Sequence, residues 1–80
     1  REFVDARGAS WEALGVDEVV AHAKRGVRLA FRPGGNVTTT PLPSGITFNS
    51  REAADFALRT LGVKELQRRL SLAQAEAGTL

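Results

Sequence analysis

Few residues in this chain have chemical reach. There is one histidine, His22, with nine carboxylates, eleven lysines and arginines, and neither cysteine nor tyrosine. Nucleophilic catalysis needs a nucleophile, a base within hydrogen-bond reach and a group that orients the base. No serine or threonine stands in such a relation to His22, whose sequence neighbours Asp17 and Glu18 would share its helix. No spacing of His, Cys, Asp or Glu matches a metal site. The sequence therefore argues against an enzyme, with no catalytic residue, no metal and no cofactor expected. Gly34-Gly35 is not a phosphate loop, because those loops lead from a strand into a helix. Here the glycines separate two strand-like runs and suit a hairpin turn.

Arginine is the residue type whose placement carries most information. Residues 1–18 hold two arginines against five acids, net −3. Residues 19–51 hold Lys24, Arg25, Arg28, Arg32 and Arg51 with no acid, net +5. Residues 52–80 balance four against four. A basic block between an acidic and a neutral one is a recognised mark of nucleic-acid or acidic-partner binding. Within it, Val27, Leu29 and Phe31 alternate with Arg28, Ala30 and Arg32. A strand of this pattern shows one apolar and one basic face. Lys24, Arg25, Arg28 and Arg32 could then track phosphates, with Thr38 and Thr40 adding hydroxyl contacts from a neighbouring strand. No aromatic residue interrupts that face, so stacking of single-stranded bases is not expected and duplex DNA is favoured.

The elements that must position these residues read as follows. Phe3 and Val4 form a short strand or a docked arm. Ser10 and Asp17 are good N-caps, Gly15 interrupts between them, and Val16, Val19, Val20 and Ala23 fall on one helical face. The spacing predicts two short helical segments ending at Gly26, with Lys24 and Arg25 in the last turn. After the 27–32 strand, Pro33-Gly34-Gly35-Asn36 reverses the chain. A second strand follows at 37–40, interrupted by Pro41 and Pro43, and a third at 46–48. Asn49 and Glu52 form a capping box for a helix bearing Ala53, Ala54, Ala57, Leu58 and Leu61. Gly62 ends it. Val63, Leu66, Leu70, Ala73 and Ala77 recur at spacings of three and four along a last helix. The expected fold is α+β, a small three-stranded antiparallel sheet with helices on one face, in the order α(α)-β-β-β-α-α.

Eighty residues make one small domain, residues 1–80, which buries roughly 60% of its unfolded surface. The absence of an initiator methionine suggests a piece of a longer chain. The lack of cysteine suits a cytoplasmic location, and no apolar run approaches membrane-spanning length. A homodimer or protein partner is the alternative to DNA, through Val63, Leu66, Leu70 and Ala73 on the helix seam and Leu72 beside it. That would make the chain a dimerisation domain, an inhibitor or an adaptor. No membrane partner or small-molecule substrate is indicated.

The run Ile46-Thr47-Phe48-Asn49-Ser50-Arg51-Glu52-Ala53-Ala54 resembles the strand-to-helix junction of three-stranded DNA-binding domains of the integrase-arm type. The resemblance implies a sheet that enters the major groove. It covers the junction only, and Pro41 and Pro43 fall where those domains have a long hairpin. A helix-turn-helix at Leu61-Gly62-Val63 does not fit, since Leu58 stands where a small residue is required and Arg68 and Ser71 where apolar ones are.

Overall fold

In the computed structural model, residues 1–20 and 24–78 are described, without the side chains of Val20, Lys24 and Arg25. Four strands, β1 (Glu2–Val4), β2 (Ser10–Val20), β3 (Lys24–Pro33) and β4 (Leu42–Phe48), are followed by α1 (Arg51–Thr60) and α2 (Val63–Gly78). The strands form one antiparallel sheet in the order β1-β2-β3-β4. Both helices pack on the same face. The fold is α+β, with the helices on one side of the sheet as expected.

The first third of the chain corrects the expectation. Residues 10–20 form the longest strand and not a helical pair, so the sheet has four strands and the order is β-β-β-β-α-α. Trp11 and three valines favour a strand. The period of two was masked because both faces are mixed: Trp11, Ala13, Gly15 and Asp17 point one way, Glu12, Leu14, Val16 and Glu18 the other. Ser10 and Asp17 cap nothing. Their partners are cross-strand, with Val4 opposite Ser10 and Val27 opposite Asp17. Four strands also depart from the three-stranded sheet implied by the junction resemblance. His22, assigned to a helix surface, lies outside the described residues.

The reversal at Pro33 forms, with the Asn36 N–H donating to the Pro33 carbonyl at 3.2 Å and Gly35 at φ +78°. Residues 37–40 are not a strand. Asn36 competes for this backbone, its Oδ1 accepting from the Thr38 N–H and hydroxyl at 3.3 and 3.0 Å, as Asx turns do. Pairing resumes one proline early, because β4 is an edge strand and tolerates Pro43. Between the pairs Ala30↔Pro43 and Arg28↔Thr47, β3 has one residue and β4 three. Ser44 repairs this bulge: its buried hydroxyl donates to the Leu29 carbonyl at 2.7 Å and accepts from the Ile46 N–H at 3.2 Å.

The core lies between the sheet and α2. Phe3, Ala13, Leu29 and Phe31 meet Leu66, Leu70 and Ala73, all buried. The Phe3 and Phe31 rings stand edge to face at 5.9 Å, a favoured aromatic geometry. Helix α1 starts one residue later than the capping box implied. Ser50, and not Asn49, is the N-cap, its Oγ accepting from the Ala53 N–H at 3.1 Å. At the far end of α1 the Arg1 guanidinium donates to the Leu58 and Leu61 carbonyls at 3.2 and 2.8 Å. A cation there satisfies orphan carbonyls and suits the helix dipole. Gln67 of α2 donates to the Val4 carbonyl at 2.8 Å, so β1 is tied to both helices.

The β1–β2 turn is built on Asp5. Its Oδ1 accepts from the Arg7 and Ala9 N–H groups and its Oδ2 from the Trp11 indole, each at 2.9 Å. The Ala9 hydrogen bond, above the others, holds the Asp5 carboxyl below its ordinary range.

Candidate functional site

The face of the sheet turned away from the helices is where Arg28 and Arg32 sit, as the alternation in β3 requires. The strand beside them is what the sequence did not reveal. Register pairs Glu12 with Arg32, Leu14 with Ala30, Val16 with Arg28 and Glu18 with Gly26. Arg32 Nε lies 2.6 Å from Glu12 Oε1, and Arg28 Nε lies 2.8 Å from Glu18 Oε2. Arg28 also donates through its NH1 group to the Ser44 carbonyl at 2.7 Å. It therefore staples β2, β3 and the bulge of β4 together. The hydrogen bond to Glu18 raises the already high pKa of the Arg28 guanidinium. Cross-strand pairs of this kind contribute roughly 0.2–1 kcal/mol each.

The rest of this face is largely aliphatic. A row formed by Leu14, Ala30 and Pro43 crosses β2, β3 and β4. Ala30 is buried between its larger neighbours, Val16 is 36% exposed and Val4 49% exposed. Ion pairs flank that row on both sides. With Glu2 opposite Glu12, the described charges of the face are three carboxylates against two guanidiniums. Among the described residues, the two arginines expected to make this face basic are each paired with a carboxylate of β2.

The other expected contacts are scattered. Lys24 and Arg25 open β3, and their side chains lie outside the described residues. Thr38 and Thr40 belong to the 34–41 loop and not to a strand beside β3, and Thr38 is turned onto Asn36. On α2 the seam divides. Leu66, Leu70 and Ala73 are buried in the chain's own core, while Val63 and Leu72 are 45% and 46% exposed. The residues missed by sequence reasoning are Glu12, Leu14, Val16 and Glu18, because residues 10–20 were given a helical period.

A cavity of about 340 Å³ opens where the end of the β2–β3 hairpin meets the start of α1, lined by Asp17, Val19, Val27, Ser50 and Arg51 among others. Several of its polar groups are already engaged. Arg51 donates to the Gly15 carbonyl at 3.0 Å and pairs with Asp17 at 2.6 Å, and Ser50 caps α1. Among the described residues no group of three His, Cys, Asp or Glu could hold a metal ion. No helix among them is long and apolar enough to cross a membrane. Comparison with protein-family models, with curated proteins and with solved structures finds no match to this chain.

Proposed function

We propose that this domain is a non-catalytic protein-binding module that offers the bare face of its sheet to an apolar, weakly charged protein surface. The observation that carries this reading is the pairing of Arg28 with Glu18 and of Arg32 with Glu12. A phosphate track works by releasing counterions from uncompensated charge. Phosphates arriving here would have to displace two carboxylates and would still face Glu2, Glu12 and Glu18 nearby. An apolar partner meets no such opposition. It would cover Val4, Leu14 and Val16 and leave the ion pairs as a polar rim, the anatomy common to protein interfaces.

The test compares four immobilised proteins in extract with and without nuclease treatment: wild type, Leu14→Lys/Val16→Lys, Arg28→Glu/Arg32→Glu, and the helix control Arg68→Glu/Arg69→Glu. The reading expects a partner retained at high salt by wild type and by the helix control, and lost with the sheet-face variant. Retention that disappears on nuclease treatment, or that depends on Arg28 and Arg32 alone, would replace it with the nucleic-acid reading.

A further inference from the structure

On the two central strands, the bare face of the sheet separates its charges by sign. Glu12 and Glu18 stand on β2, Arg28 and Arg32 on β3. Between them the half-buried Leu14 lies opposite Ala30, which is 2% exposed and makes the low point of the row. Such a face accepts an apolar, weakly charged surface, and it is itself a surface of that kind. Sheets stack face to face about 10 Å apart with their strands within about 30° of each other, and a contact between two copies closes about a two-fold axis. Two axes in the plane between the sheets are available. One runs across the strands through the Leu14 row and sets Arg28 of each copy against Arg32 of the other, a like-charge contact that opposes pairing. The other runs along the strands between β2 and β3. It sets Glu12 of each copy over Arg32 of the other, and the bulk of Leu14 over the other's Ala30.

Resting on the assignment of this face as a protein-binding surface, we infer that its partner is a second copy of this chain, related by the two-fold axis that runs along the strands between β2 and β3. Each Glu12–Arg32 pair, closed within its own chain at 2.6 Å, then becomes half of a ring of four alternating charges. Val16 meets the aliphatic stem of the other copy's Arg28, whose guanidinium stays with Glu18 and the Ser44 carbonyl. Glu18 comes over the other copy's Gly26, and Glu2 falls outside the central strands, over the other copy's β4. Four strands about 4.8 Å apart and eleven residues of β2 at about 3.3 Å each give the face at most about 700 Å² per copy. That is just below the roughly 800 Å² per partner of a standard interface, so the dimer forms reversibly as concentration rises.

Sedimentation equilibrium of the chain of 80 residues is expected to show the mass doubling with concentration. Leu14→Lys/Val16→Lys should stay a monomer throughout, and Arg68→Glu/Arg69→Glu should pair as wild type does. If the double lysine variant loses its fold, Val16→Lys alone is the substitute, because Val16 is 36% exposed and the new cation would meet the other copy's Arg28. The charge exchange Glu12→Arg/Arg32→Glu reads the arrangement itself. It keeps the cross-strand pair within the chain and should form its own dimer. Against wild type it sets like charges together, so the two should not co-purify when one is tagged. A wild type that stays monomeric, a dimer indifferent to the lysine variants, or an exchange variant that mixes freely with wild type would each overturn the inference. A monomer whose sheet face still retains another protein from extract removes self-recognition alone; loss of that retention as well would end the protein-binding reading of the face.

Discussion

Leu70→Lys should abolish the cooperative unfolding transition of this domain at room temperature. Leu70 is buried in the core with Leu66, Ala73 and Phe31. Losing a buried leucine side chain alone costs about 2–5 kcal/mol, and the ammonium would enter an apolar site with no partner. The whole stability of a domain is about 5–15 kcal/mol, and eighty residues lie toward the lower end. Leu72→Lys is the control. At 46% exposure, this residue should accept lysine within about 0.5 kcal/mol, as surface positions do. Thermal melts followed by far-ultraviolet circular dichroism distinguish the two. A Leu70→Lys protein that stays folded while its mass halves would mean that α2 packs between copies and not against its own sheet.

Gly15→Val should be nearly as damaging, for a different reason. Gly15 lies on the helix side of β2, next to Arg51 and Ala54 of α1. A Cβ placed there would stand 2.7 Å from Val27 Cγ1, 2.7 Å from the Arg51 guanidinium and 3.6 Å from the Ala54 methyl. Arg51 can swing away, but Val27 and the buried Ala54 cannot. Overpacking of a filled core costs about 1–3 kcal/mol, and valine adds two methyl groups beyond the clashing carbon. A denaturant titration should show the midpoint falling by a large part of its wild-type value. Gly45→Val is the comparison, because open space surrounds a Cβ at Gly45. Equal losses at the two positions would show that α1 does not rest on β2 as described.

The contrast between Gly15 and the two helices shows what was legible in the sequence. α1 and α2 were readable because Ala54, Leu58 and Leu61, and then Leu66, Leu70 and Ala73, keep a period near 3.6 with one face apolar. β3 was readable because its two faces are chemically opposite. β2 was not, because glycine and aspartate sit on its inner face where strands usually carry bulk. Both are explained by α1, through contacts between residues distant in sequence: Ala54 needs the space at Gly15, and Arg51 pairs with Asp17. The candidate site was half legible for the same reason. Arg28 and Arg32 were placed on the correct face, but their charge was judged without the strand beside them. A signal existed. In the β2–β3 hairpin, paired residue numbers sum to 44, which sets Glu12 opposite Arg32 and brings Glu18 diagonal to Arg28. Helical periodicity for residues 10–20 hid that register.

The charge state of the sheet face is the point on which the account rests, and a salt series reads it directly. Fluorescence anisotropy of a labelled DNA duplex, titrated with the domain from low to physiological salt, gives the number of phosphates neutralised from the log–log slope. Arg28 and Arg32 are each held by a carboxylate, at 2.8 and 2.6 Å. The account therefore predicts only weak retention at the lowest salt, lost before physiological salt is reached. Firm binding with a slope of roughly −3 to −4.5, the range for three to five neutralised phosphates, flattened by Arg28→Glu/Arg32→Glu and untouched by Arg68→Glu/Arg69→Glu, would contradict it.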